Sequence, residues 1–591
     1  MARLPFLVSV LIATTVLGLY AWRVGEAPVY LSPDEAIIAV NAHTLASTGH
    51  DVAGVRLPLY FRIQMPGESR WGWFTPAIFY VTALFLNVLP LSERAVRLPT
   101  VCVGVADVLL LYWVGRKLFT EGGYALAASG LLALAPAHFM LSRYALDYVY
   151  PLPFILAWLL CLLLFLENAR LPWLLAATVC LGLGFYSYIA SVLLMGMYFG
   201  ITVAVLLLTR RPPSAYAVAA AGFTLPLLPF AAWFLQHPTV LSDTAARYDL
   251  YDAKKLNALQ GIREFLSYPN LERLSSLYWT YFSPSFLFFS GDGQMTFSTR
   301  SVGVVLMPLA LLLPLGFYQV IVRRPSIPNV LVLIGFVTAP AAAVLVPEPA
   351  AIVRAVALLP FAALIAVFGL ELLWTTPGVR PSRRAFAAGG GLMFTVGVSY
   401  AIWMLVTRGR VGTATLLVIA AGSCGLVAAA FVARPWSVGR LLACALIALV
   451  PIQFARFSAD YFGDYRLRAN SWLGGNLRGA LEEIIARTER DRTSRVYFAT
   501  LQSTAGLMDT RNRWMDAYWR FYLGKHQREE LLARSAPFGE TDVRSLPAHS
   551  LVLANDGDVR TGTLVKSGEL RLVTSIPELD RDPFFVILER P

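Results

Sequence analysis

The stretch LPFLVSVLIATTVLGLYAWRVGEAPVYLSPDE, residues 4–35, decides the fold class. From Leu4 to Trp22 it carries no charge and is long enough to cross a bilayer, which takes about 20 residues of helix. Arg23 closes it, and an acid pair, Asp34-Glu35, follows behind Ser32-Pro33. Apolar runs of this kind recur as far as Phe454, too many for a cleaved secretory leader. Over the whole chain of 591 residues, 57% are hydrophobic, 15% are charged and the mean hydropathy is +0.60. A soluble domain carries about 25% charged residues. The chain reads as a polytopic α-helical membrane protein.

Charge then orients it. Residues 457–591 hold 19 basic and 19 acidic residues, so the net charge of +12 lies in residues 1–456. After the first span, further spans fall near 95–115, 124–141, 151–166, 172–188, 191–208, 215–235, 301–321, 328–346, 352–374, 386–406, 411–433 and 441–454. This gives about 13 transmembrane helices. Residues 76–91 are rather short to span and read as an interfacial or re-entrant helix. With that choice the inside loops own 13 basic residues against only Glu121 and Glu167. One topology thus collects nearly the whole excess on the cytoplasmic side, as insertion bias requires.

Residues 1–456 then form the membrane domain, with extracytoplasmic loops at 23–94 and 236–300. Residues 457–591 have soluble composition. A helical stretch near 476–487 and strand-like runs at 495–500, 550–554, 570–574 and 584–588 predict a small extracytoplasmic α/β domain. The five cysteines lie inside apolar runs without a CxxC spacing, which argues against disulfides and thiolate metal sites. No P-loop and no GxGxxG precedes a helix, so nothing points to an ATP-driven pump.

Charged residues at the outer membrane edge are costly and mark candidate sites. Asp34 and Glu35 sit in the first turn of a helix that Ser32 caps and Pro33 opens, where the helix dipole favours acids. Helix-start chemistry alone accounts for them about equally well. Arg143 and Asp147 are four apart and, on a helix, would share a face and could pair. Arg94, Arg97 and Arg354 also fall outside, and gathered arginines suit an anionic ligand such as phosphate; snorkelling to lipid headgroups is the alternative. Asp107 lies mid-span, where a buried hydrogen-bonded partner is the simplest reading. His43 and His50 could join Asp34, Glu35 and Glu68 around a divalent metal, although no HxxxH or HExxH spacing groups them. Trp71, Trp73 and Phe74 read as an interfacial aromatic belt, on whose rings sugars also stack.

In this order the motifs resemble the GT-C class of glycosyltransferases. The acid pair follows the first span, and Arg97-Leu98-Pro99 opens a later one. Gly115-Arg116-Lys117-Leu118-Phe119 comes next, then Ser142-Arg143 with Asp147 behind. More closely the chain is similar to the protein mannosyltransferase and lipid A aminoarabinose transferase superfamily, glycosyltransferase family 39 and its bacterial relatives. The likeness is best over residues 30–211 and looser through Phe282-Ser283-Pro284-Ser285-Phe286 and from Arg354 to Pro360.

The resemblance implies transfer of one sugar from a polyprenyl-phosphate donor to an extracytoplasmic glycan, lipid or protein hydroxyl. The enzyme would lie in the bacterial plasma membrane, with no nucleic acid as partner. Asp34 matches the family's catalytic acid, expected to act as general base, with Glu35 beside it, and Asp147 matches the second acidic position. Arg97, Arg143 and Arg354 would lie near the donor phosphate. Many relatives carry Lys-Pro-Pro where this chain has Phe74-Thr75-Pro76, and Arg70 is the candidate substitute for the missing lysine. A transporter or flippase of a lipid-linked anion is the competing reading. It would spread charge through the mid-membrane and show inverted repeats, whereas here mainly Asp107 lies at depth. The motifs carry nothing on the donor sugar, the acceptor or a metal requirement.

Overall fold

The computed structural model describes residues 3–64, 71–248, 258–265, 267–346, 348–376, 383–408, 415, 418–423, 426, 437–490, 494–503, 506–508, 513–538, 543–579 and 582–591. Among these residues, eight helices are long and apolar enough to cross a membrane. They are Leu4–Ala21, Glu93–Leu118, Asp147–Asn168, Ser191–Leu208, Pro213–Gln236, Ile327–Leu345, Leu358–Thr375 and Val438–Phe462. Shorter apolar helices accompany them, including Leu171–Gly184 and Leu309–Arg323. The helix Leu358–Thr375 is the hub, with every residue from Leu358 to Leu372 buried by its neighbours.

Proline punctuates the apolar runs where continuous spans were expected. The run at 124–141 divides into Gly122–Ala133 and Pro136–Leu141, because Pro136 disfavours helix at the residue before it. The run at 352–374 becomes helical only from Leu358, and Ile352–Arg354 forms a single 3₁₀ turn ahead of it. The span expected at 411–433 lies outside the described residues except at 415, 418–423 and 426.

The elements that carry the site come early. Helix α1 (Arg3–Ala21) leads through a loop to α2 (Pro33–Thr48). Strands β1 (Phe61–Gln64) and β2 (Trp71–Phe74) pair antiparallel, with Phe61 opposite Phe74 and Ile63 opposite Gly72. Helix α3 (Ala77–Leu86) has ten residues; at about 1.5 Å per residue it cannot span the roughly 30 Å hydrocarbon core. Then α4 (Glu93–Leu118) runs for 26 residues and packs on α1.

The tail holds a five-stranded mixed sheet in the spatial order Ser535–Pro537, Val496–Phe498, Leu551–Asn555, Phe585–Glu589, Arg571–Ile576. The first three are parallel and the last two join antiparallel. Composition changes at residue 457, and the tail sheet has a hydrophobic cluster of its own around Tyr497, Phe538, Val552 and Leu588. Helix Val438–Phe462 runs through residue 457. The tail helix Arg513–His526 packs on α2, and Met515, Trp519, Phe521 and Tyr522 belong to the same continuous core as the spans. Tyr518 donates to the Leu31 carbonyl at 2.8 Å, and Lys525 pairs with Glu93 at 3.0 Å. The tail therefore braces the loop that leads into α2.

Candidate active site

Asp34 owes its position to the start of α2. Ser32 is the N-cap, its hydroxyl accepting from the Glu35 amide at 3.3 Å while the Glu35 carboxylate accepts from the Ser32 amide at 2.9 Å. Pro33 fills the first turn, where a missing N–H costs nothing. This reciprocal cap turns Glu35 inward and leaves Asp34 facing the other way.

Glu35 is fully buried. Besides the Ser32 amide it accepts from Arg97 Nε at 2.8 Å, Arg97 Nη2 at 3.1 Å and the Ala145 amide at 2.9 Å. Arg97, also fully buried, donates onward to the carbonyls of Val24, Pro28 and Tyr30 at 3.0, 2.8 and 2.7 Å. Arg143 donates to the carbonyls of Tyr20 and Ala27, and its guanidinium lies 5.1 Å from the Phe139 and Phe462 ring centres. Two arginines expected at a lipid phosphate thus hold the loop of residues 20–30 in place. The physical reason is donor saturation, most complete at Arg97: buried guanidinium groups take the acceptors nearest to them, here backbone carbonyls of the same loop. Arg143 and Asp147 do not form the expected i,i+4 pair, because the helix ends at Leu141 and Asp147 begins a separate 3₁₀ turn.

Asp34 and Asp147 instead line one cavity of about 190 Å³. The rest of its wall includes Trp73, Phe74 and Thr75 from β2 and its end, Tyr148, Tyr188, Arg247, Tyr248 and Arg354. Its volume is below the roughly 300–1,000 Å³ of a drug-sized site, a scale for one small unit. Asp147 accepts from the Thr75 hydroxyl at 3.1 Å. Asp34 and Asp147 lie within electrostatic reach of each other and of Arg247. Burial pushes the Asp34 carboxyl above the ordinary carboxylate range; Arg247 opposes the rise and Glu35 adds to it.

Arg354 is held by a chain of contacts. Its guanidinium pairs with Glu348 at 2.9 Å, and Gln294 donates to the same carboxylate. Asp292 accepts from the Ile352 amide at 2.7 Å and the Gln294 amide at 2.8 Å, fixing the 3₁₀ turn that carries Arg354. Burial pushes the Asp292 carboxyl up to about 6.

Of the residues expected at the site, the cavity gathers Asp34, Asp147 and Arg354. Glu35, Arg97 and Arg143 lie in the interior, and Arg70 and Glu68 fall outside the described residues. Of the five residues weighed for a metal, Glu68 lies outside the described residues, His50 turns to the Thr48 carbonyl at 2.8 Å, and Glu35 is held by Arg97. Among the described residues no three His, Cys, Asp or Glu side chains form a group that could hold a metal ion. Asp107 contacts His138 Nε2 at 3.2 Å, the buried partner expected for it. Arg247 carries no signal in the sequence. It sits in a polar loop among other charges, and only the packing of helix Val240–Arg247 against β2 brings it to the carboxylates.

Residues 74–234 match the family described as dolichyl-phosphate-mannose-protein mannosyltransferase. Comparison with curated proteins found no sequence match. Among solved structures, the chain is similar to ArnT from Cupriavidus metallidurans bound to undecaprenyl phosphate, at a TM-score of 0.52 and 14% identity. That alignment covers 98% of this chain and 97% of the other. The apo state of the same protein gives a TM-score of 0.52 at 13% identity, over 100% of this chain and 98% of the other. The cavity described above opens where α2, the residues following β2 and the 3₁₀ turn at Asp147 converge, and the last two of these fall inside the matched segment. The chain is a multi-pass membrane protein with the GT-C glycosyltransferase fold, and it carries the mannosyltransferase family's sequence pattern over residues 74–234.

Proposed function

We propose that the protein transfers a monosaccharide from a polyprenyl-phosphate donor to an extracytoplasmic hydroxyl acceptor, with Asp34 as general base. The observation that carries this reading is the cavity in which Asp34 and Asp147 meet Arg247 and Arg354. The acceptor oxygen attacks the anomeric carbon as the bond from that carbon to the phosphate oxygen breaks. The electron pair leaves with the phosphate, and the hydroxyl proton passes to the Asp34 carboxylate. A carboxyl held above its ordinary range is a stronger base than a free one, and the start of α2 still favours its anionic form. Arg247 and Arg354 face the departing phosphate, where paired N–H donors stabilise charge as it develops. Asp147, held by Thr75, orients the sugar.

The likeness to a structure bound to undecaprenyl phosphate supports the lipid carrier as donor, and the family pattern supports sugar transfer. The test is turnover of purified protein with polyprenyl-phosphate sugars. Asp34→Asn keeps size and much of the hydrogen bonding but cannot take the proton. It is expected to cost about 10² to 10⁴ in rate while donor affinity holds. A helix-start role forecasts near-normal turnover, because Asn serves there about as well as Asp; that result would remove Asp34 as the base.

A further inference from the structure

Gly72 stands beside Arg247 so closely that any side chain there would meet the guanidinium. A Cβ built on Gly72 would lie 2.5 Å from one terminal nitrogen of Arg247, 3.0 Å from its Cζ and 3.3 Å from the Phe74 ring. Along β2 residues 72 and 74 point to the same face. The missing side chain at 72 and the ring at 74 therefore leave a slot, in which the guanidinium lies 4.5 Å from the Phe74 ring centre. The Tyr248 ring closes the slot at 5.3 Å. The helix itself is tied to β2, with Trp73 Nε1 donating to Asp243 at 3.2 Å, one turn before Arg247. The backbone is thus anchored independently of the guanidinium. The atom that a methyl group would strike is the far end of a flexible side chain.

We propose that Gly72 is a positioning residue: its missing side chain is the slot that holds the Arg247 guanidinium at the donor phosphate, beside Asp34 and Asp147. This rests on the donor reading above. A methyl group at residue 72 displaces the guanidinium and leaves the strand intact, because strand β2 has ordinary extended geometry and the clash falls on a side-chain tip. Trp73, Phe74 and Thr75 then stay in the cavity wall while its cation is withdrawn.

The experiment measures the affinity of purified protein for undecaprenyl phosphate in four forms: wild type, Gly72→Ala, Arg247→Ala and the double variant. Each single change is expected to weaken binding about tenfold or more, the scale of a lost charge-assisted contact. The double variant should bind no more weakly than Arg247→Ala alone, since two changes acting through one contact do not add. Arg247→Lys, with a slimmer tip, should make Gly72→Ala nearly silent. Wild-type affinity in folded Gly72→Ala, or losses that multiply in the double variant, would overturn the slot. If Gly72→Ala fails to fold, the double variant decides: folding restored by removing Arg247 supports the slot, and a misfolded double variant overturns it. A wild type that does not bind undecaprenyl phosphate brings down the donor reading and the ligand assigned to Arg247 together. A wild type that binds, with an unaffected Gly72→Ala, sinks the slot alone.

Discussion

Asp34 and Glu35 are neighbours in the chain and end in opposite surroundings. Glu35 enters a closed interior, where Arg97 and two backbone amides use its oxygens and Arg97 in turn collects three carbonyls of the preceding loop. Asp34 enters a cavity that it shares with Asp147, Arg247 and Arg354. In the first region every strong group has its partner within the protein, which gives rigidity and no capacity to bind. In the second, two arginines and two carboxylates line open volume, and Glu348 and Thr75 take only part of the hydrogen-bonding capacity of Arg354 and Asp147, so a molecule that enters can use the rest. The same residue types thus make a brace in one place and a site in the other, and the brace fixes the loop that delivers the site's carboxylate.

The largest test of this contrast is Arg97→Ala. It leaves Glu35 buried without its cation, a loss on the order of 3–5 kcal/mol. Thermal unfolding in detergent should show a much lower midpoint or little folded protein. Arg354→Ala, with its side chain 19% exposed, should melt close to wild type and bind undecaprenyl phosphate about tenfold more weakly. If the two variants behaved alike in both measurements, the division into brace and site would be lost.

A pH–rate profile sharpens the comparison on the cavity side. The base must be ionised to act, so turnover falls as pH drops through the Asp34 titration, which burial sets above the ordinary value of 3.8. Arg247→Ala removes the cation opposing that rise and should move the acid limb to still higher pH. A limb at or below the free-carboxylate range, or one unmoved by Arg247→Ala, would separate Asp34 from the chemistry. The smallest effect belongs to the cap. Ser32→Ala removes the hydroxyl that meets the Glu35 amide and should cost about 1 kcal/mol of stability. A loss several times larger would mean that the cap, more than Arg97, holds Glu35 in the interior.

Much of the candidate site is legible in the amino-acid sequence. Ser32-Pro33-Asp34-Glu35 spells a capped helix start, and the capping box is there. Asp147 and Arg354 are marked by their cost at the membrane edge, and both line the cavity. The same reasoning expects Arg97 and Arg143 at a lipid phosphate, and in the structure both donate to buried carbonyls, because the two kinds of acceptor demand the same cation. Sequence position cannot say which acceptor is nearer. Arg247 carries no signal at all. Its loop is polar, its neighbours are charged, and its role exists only through the glycine opposite it on a strand more than 170 residues earlier.

What the sequence determined by itself is the solvent of this protein and the class of its fold. Apolar runs of bilayer length and basic loops are set by composition along the chain, which tertiary contacts do not alter. The local start of α2 belongs to the same category, since a cap closes within four residues. What only the tertiary structure decided is the sorting of charges. Glu35, Arg97 and Arg143 became a brace, and Asp34, Asp147, Arg247 and Arg354 came to line one cavity. The tail, soluble in composition, joins the main core through its helix Arg513–His526, which lies on α2, and keeps a second hydrophobic cluster of its own. The reason is that partnering depends on distances of about 3 Å between residues far apart in the chain, and no local pattern encodes them.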